Sequence, residues 1–228
     1  MNRTILLSLV TALVAGVVAG PCRGQTLQKG ISVEMAVTAN ATSMPAADDA
    51  NAWVVAVTRD GALFFGTEKF TPDGLSETMK SRPRNRDQKL YIKADARAPF
   101  AEVQRVLQAG RTVWFDAAVL LSSQPEQAAP GTIVPPKGLE VLVGAPSGAE
   151  AVVVEVSRSD RPAPRLTVNG ADVSEAALSE TLKRALSNGS GKLVALKVDG
   201  QLTFSQVAHV IDACRGAGVK VAVDIPEV

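Results

Sequence analysis

KLVALKVDGQLTFSQVAHVIDACRGAGVKVAV, residues 192–223, decides the fold. Residues 193–198 are apolar and β-branched apart from Lys197, and Asp199-Gly200 breaks the run. Thr203 stands where a helix cap is needed, with a side-chain oxygen free to accept an early backbone N–H. Phe204, Val207, Val210, Ile211 and Cys214 follow at helical spacing, so one face is apolar. Gly216 and Gly218 stop the helix, because glycine tolerates the left-handed cap. Val219, Val221 and Val223 resume a strand. The unit is strand, helix, strand.

The chain carries a second copy. Ile92-Lys93-Ala94-Asp95, then Phe100, Val103, Val106 and Leu107, answers Leu196-Lys197-Val198-Asp199, then Phe204, Val207, Val210 and Ile211. The match extends without gaps to Val119 against Val223. Upstream, residues 178–183 answer 75–80, residues 151–156 answer 53–58, and Lys137-Gly138-Leu139-Glu140-Val141 answers Lys29-Gly30-Ile31-Ser32-Val33. Agreement along so long a period points to tandem domains rather than a solenoid. Thr71-Pro72-Asp73 reads as a helix start and Asp60-Gly61 as a hairpin turn. The expected fold is therefore α/β (α+β): two tandem small β-β-β-α-β-α-β domains, each a mixed sheet with two helices. Their bounds are 29–125 and 137–228, joined by a Pro-rich linker at 126–136.

Ahead of them, residues 1–24 hold Arg3, an apolar run at 5–20, and small residues at Ala15, Gly16, Ala19 and Gly20. That is the layout of a cleaved secretory signal. A spanning helix needs roughly 20 apolar residues, so a retained single-pass anchor stays open. Pro21 before Cys22 fits a lipoprotein signal badly. Either way the bulk of the chain is expected to be exported beyond the membrane.

Net charge is +1, which argues against a nucleic-acid partner held by basic electrostatics. Aromatic residues are 4% of the chain, too few for an extended stacking platform. His209 is the single histidine, and without a nucleophile and orienter it carries no triad. No cysteine–histidine cluster has metal spacing, and no cofactor or enzymatic activity is expected. Residues 188–192 hold part of a phosphate-loop spacing, but they follow a helix and enter a strand, the reverse of what that loop needs. Asp95 and Asp199 leave strands at matching points and read as turn formers, and Phe100 and Phe204 open the helices that follow. Arg82, Arg84 and Arg86 sit in a basic loop at 81–87 that could touch an anionic wall polymer or lipid headgroups, but Asp87 interrupts it and the second repeat has no counterpart, so it reads as solvated.

Each repeat resembles the periplasmic domain of the ExbD/TolR biopolymer-transport family. The resemblance rests on the G-[IL]-x-V strand at Gly30 and Gly138, the hairpin, the capped helix, and the closing segment: Asp, a Phe five residues on, V-x-x-V-[LI], and a last strand. Ala217-Gly218 also matches the family's usual last-helix ending, where the first copy has Val113-Trp114. The resemblance implies a non-enzymatic envelope protein that works with a multi-helix ExbB/TolQ-like membrane partner or another ExbD/TolR-like chain. Family members carry one proton-relay Asp in the membrane helix, a costly and therefore functional charge. Nothing ionisable lies between Thr4 and Gly20 here, which implies an accessory rather than a proton-coupled subunit. Members usually have one domain and dimerise; two copies in one chain imply pairing within the chain, with a homodimer as the other possibility. Ile31, Val33 and Met35, with Leu139, Val141 and Val143, form the candidate strand-pairing interface, since an exposed strand edge recruits a partner strand. Pairing inside the strand's own sheet is the alternative. The other functional class that fits is a free periplasmic module that binds peptidoglycan or a protein.

Overall fold

In the computed structural model the described residues are 29–85, 87–124, 134–144, 151–187 and 193–225. The N-terminal apolar run, most of the Pro-rich stretch and the 188–192 turn lie outside them. The 192–223 stretch forms β11 (Leu193–Val198), α4 (Phe204–Gly216) and β12 (Lys220–Val223). Strands β11 and β12 are parallel, with Leu196 opposite Val223. Thr203 and Gln206 make a reciprocal capping box: the Gln206 N–H donates to Thr203 Oγ1 at 3.3 Å, and the Thr203 N–H donates to Gln206 Oε1 at 3.0 Å. Gly218 holds a φ of 78°, the left-handed stop the sequence calls for. The copy is β5 (Leu90–Ala94), α2 (Phe100–Thr112) and β6 (Ala117–Ser122).

Around these units run β1 (Thr42–Ser43), β2 (Trp53–Val57), β3 (Leu63–Phe65), β4 (Glu68–Phe70) and α1 (Pro72–Ser81) in the first half. The second half has β7 (Lys137–Val143), β8 (Val152–Ser157), β9 (Arg165–Val168), β10 (Ala171–Val173) and α3 (Glu175–Leu186). Thr71 caps α1 by accepting the Gly74 N–H, with Pro72 in the first turn. Strands β4 and β10 extend each hairpin by a strand that the sequence reading did not contain.

Two separate sheets do not form. The strands make one twelve-stranded mixed sheet in the order β10-β9-β8-β11-β12-β7-β6-β5-β2-β3-β4, with β1 beside β7. The order is a palindrome about β7. That strand pairs antiparallel with β6, from Ala117 opposite Leu142 to Ser122 opposite Lys137. On its other edge it pairs parallel with β12 at Leu142 and Val143, and antiparallel with β1 at Lys137 and Gly138. The close approach to β6 needs glycine at 138: a Cβ there would collide with Val119 Cγ1 and lie 3.1 Å from the Leu120 oxygen. Residues 31–37 have the same alternation, yet they form isolated bridges only, Met35 with Asp95 and Val37 with Ser123. Their place beside β6 belongs to β7.

All four helices lie on one face, over one apolar core that includes Leu75, Val106, Leu139, Leu178, Val210 and Val223. The opposite face differs between halves. In the first half Val54, Tyr91, Val119 and Leu121 are apolar and are covered by Ala47 with Met35, Met44 and Ala52 from the leading segment. Burying side chains of this size is worth about 1.5–3 kcal/mol each. In the second half the ladders put Val153, Ala195, Ala222 and Asp224 at matching places. Beside them Glu155 and Lys197 are exposed and lie 4.0 Å apart. That face suits water, and only the first half needs a cover.

The ladders also correct the repeat register. Ile92 and Leu196 are equivalent; Ile92 faces Leu120, whereas Leu196 faces Val223. Leu120, not Val119, therefore answers Val223, and the turn before β6 holds one extra residue. By the same logic β8 answers β2 from Val152, one residue later than the sequence match had it. A one-residue slip exchanges the faces, which is why Val119 lies under the leading segment and Val223 under the helices.

Candidate interaction surface at the seam of the two halves

The turns that leave β5 and β11 are built alike. Asp95 Oδ1 accepts the Arg97 N–H at 3.0 Å, and Asp199 Oδ1 accepts the Gln201 N–H at 2.9 Å. The Ala98 N–H donates to the Asp95 carbonyl, and the Leu202 N–H to the Asp199 carbonyl, at 2.9 and 3.1 Å. Each aspartate holds the bend that lets the chain leave a strand and start a helix. Phe100 and Phe204, the first helical residues, are fully buried.

These turns then bond to each other. The Phe100 N–H donates to the Leu202 carbonyl and the Phe204 N–H to the Ala98 carbonyl, both at 2.8 Å. The Ala101 N–H donates to Gly200 at 2.9 Å, and the Ser205 N–H to Ala96 at 2.8 Å. Every bond has its counterpart with the halves exchanged, as an isologous contact requires. Pro99 and Thr203 form an antiparallel bridge at the centre. A helix start leaves its first N–H groups without intrahelical acceptors. Pro99 gives α2 no side-chain cap, so the other half's carbonyls fill that role. Gly200 lets the halves close, since a Cβ there would sit 3.0 Å from Ala101 Cβ.

The leading segment fastens the seam from outside. Asp212 on α4 accepts the N–H groups of Ala39 and Asn40 at 3.0 and 2.7 Å. His209 Nε2 lies 3.1 Å from the Val37 carbonyl. Thr38 and Ser122 hydroxyls meet at 2.7 Å. Nearer β5, Arg97 pairs with Asp95 at 3.1 Å and with Glu34 at 2.8 Å. Burial alone raises the Asp95 pKa, but the Arg97 side chain and the backbone N–H groups of Arg97 and Glu34 outweigh it and hold the carboxyl below the usual carboxylate range.

Among the residues singled out from sequence, Leu139, Val141 and Val143 lie on β7, whose two edges are filled within the chain. Ile31, Val33 and Met35 lie in the leading segment, half-buried. Arg82 and Arg84 are not simply solvated. Arg84 stacks 3.9 Å over Phe115 and donates to the Val113 and Trp114 carbonyls at 2.6 and 2.7 Å, and Arg82 stacks 4.2 Å over Phe65. Arg86 falls outside the described residues. Asp212 was the missed residue of the seam; its signal is an acid beside Ile211 on a helix face otherwise apolar. The oxygens of Asp212 accept the Ala39 and Asn40 backbone N–H groups and the Asn40 side-chain amide, and among the described residues His209 forms no ion pair. Cys214 is buried, and burial pushes its thiol up to about 12. Among the described residues no group of three His, Cys, Asp or Glu side chains could hold a metal ion. None of the described helices is long and apolar enough to cross a membrane.

What this arrangement does chemically is pair backbone to backbone. It defines an α+β protein whose halves meet as the subunits of a dimer meet, about one shared strand. The family description that matches is ExbD, biopolymer transport protein ExbD/TolR, over residues 122–225, a little under half of the chain. The similar stretch begins at the last residue of β6 and takes in the whole of the described second half. No curated protein and no solved structure matches the chain.

Proposed function

We propose that the chain is an ExbD/TolR-type envelope protein that carries its own pair: one chain supplies the two periplasmic-type domains that the resemblance expects from two. It acts through contact with a multi-helix ExbB/TolQ-like membrane partner in a biopolymer-transport complex. The family match over 122–225 supports the class. The single observation that carries the pairing is the reciprocal set of four backbone bonds across the Pro99–Thr203 bridge. Because residues 5–20 hold no ionisable group, the role is accessory rather than proton-conducting. The full chain, tagged and extracted in mild detergent, is expected to behave as one copy per particle and to co-purify with a multi-helix membrane protein. Two copies per particle, or a chain that leaves the membrane fraction with no such partner, contradicts the reading. Co-sedimentation with purified peptidoglycan in the absence of a membrane partner would favour a wall-binding module instead.

A further inference from the structure

Trp114 ends α2 in a backbone conformation that a bulky residue seldom adopts, with φ at 67°. Its counterpart after α4 is Gly218, with φ at 78°. Glycine takes that conformation freely, whereas another L-residue there costs about 1–2 kcal/mol. The side chain placed at this cost is 82% exposed, the more exposed of two large apolar residues that face solvent among the described residues. Folding therefore gives no reason for a tryptophan here.

Its surroundings supply one. Arg84 donates to the Trp114 carbonyl, and Arg111 begins the turn, its carbonyl accepting the Trp114 N–H at 3.1 Å. Arg82 belongs to the same end through the ring series Phe65, Trp53, Phe115, whose centroids are 5.4 and 5.5 Å apart, with Arg84 on the far ring. None of these three arginines forms an ion pair among the described residues, and Glu77, Asp87 and Asp116 are the acids nearest to them in sequence. The chain also enters the fold here. Lys29 Nζ donates to the Ala50 and Ala52 carbonyls at 2.6 and 3.1 Å, and a Cβ on Gly30 would lie 2.9 Å from the Gly66 oxygen, next to Phe65. Residues 21–28 alone separate Lys29 from the apolar run that ends at Gly20, a reach of at most about 32 Å.

We propose that this end of the first half, with Trp114 at its tip and Arg82, Arg84 and Arg111 around it, rests on an anionic lipid surface. Indole prefers the headgroup layer, and arginines beside it gain from anionic lipid. The entry of the chain into the fold at the same end, within eight residues of an apolar stretch of sequence, favours a bilayer over any other anionic partner.

Fluorescence of the full chain reconstituted in vesicles of phosphatidylcholine with about 30% phosphatidylglycerol tests this. Trp53 is buried, so the difference between wild type and Trp114→Gly isolates Trp114. With brominated lipid, the Trp114 emission is expected to shift to the blue and to fall at least about twofold. Arg82→Gln should weaken the quenching, and so should 1 M salt, through screening. Trp114→Gly should unfold no earlier than wild type, because glycine relieves the backbone, so a loss of signal is not a loss of fold. A chain that does not associate with the vesicles, or one that associates while Trp114 keeps the emission of a water-exposed indole, overturns the proposal. So does a blue shift produced equally by soluble wall fragments without lipid.

Discussion

Replacing Gly200 by alanine presses on the seam from one side. The new methyl would lie 3.0 Å from Ala101 Cβ, 3.3 Å from Ala101 Cα and 3.1 Å from Gln104 Oε1. The Gln104 amide can swing away, but Ala101 belongs to the first turn of α2 and moves only with the helix. Overpacking of this kind costs about 1–3 kcal/mol. In a chain of this size each kcal/mol shifts the melting temperature by about 2–4 °C. Ala101→Gly opens the space from the other half and by itself costs at most about 1 kcal/mol. In the double variant the closest contact, methyl against methyl, is gone, so the combined penalty should fall short of the sum of the two by about 1 kcal/mol. Distant sites add to within about 0.3–0.5 kcal/mol. Urea unfolding of wild type, the two single variants and the double variant measures the difference. Residues 101 and 200 lie in different halves, so coupling between them can come only from a closed seam. Additivity within that limit would refute the contact.

Gly138→Ala should lower the unfolding free energy measured in urea by about 1–3 kcal/mol, because β7 then cannot lie against Val119 and Leu120; unchanged stability would mean that β7 sits elsewhere. Asp95→Asn should remove part of the acid sensitivity. The folded pKa of Asp95 is depressed, so its contribution is full above the unfolded value of about 3.9 and is lost as pH falls through the folded value. Midpoints recorded from pH 6 downward should show a shallower fall for the variant. Lys93 is 1% exposed, and burial lowers its pKa against the opposing pull of Asp48. Its unfolded state binds the proton more tightly, so wild-type stability rises as pH approaches about 10.4. Lys93→Met should therefore raise the midpoint at pH 7, with an advantage that shrinks by pH 10; a variant less stable at pH 7 would show the ammonium to be well satisfied.

The elements were legible because their signals are local. Thr71 and Thr203 cap as read, Gly218 stops α4, and the apolar spacing of α2 and α4 marks the buried faces. The assembly of elements was not legible. Ile31, Val33 and Met35 alternate as well as Leu139, Val141 and Val143, but one place beside β6 exists and Gly138 fits it. The register of β6 misled for a related reason. Residues 117–121 are apolar on both faces, so no alternation fixes which side is which. Nothing local signals the seam, since its bonds run between backbone groups about a hundred residues apart. Asp95 and Asp199 recurred in the sequence because each shapes one side of it.

The most direct test of a chain paired with itself is native-state hydrogen exchange. The amides of Phe100, Ala101, Phe204 and Ser205 open their helices, positions that ordinarily exchange early for want of an acceptor. Here each has a carbonyl in the other half. They are expected to exchange only with global unfolding, at the same free energy as the amides of β7. Fast exchange at these four positions, or two halves that open at separate denaturant concentrations, would contradict the account.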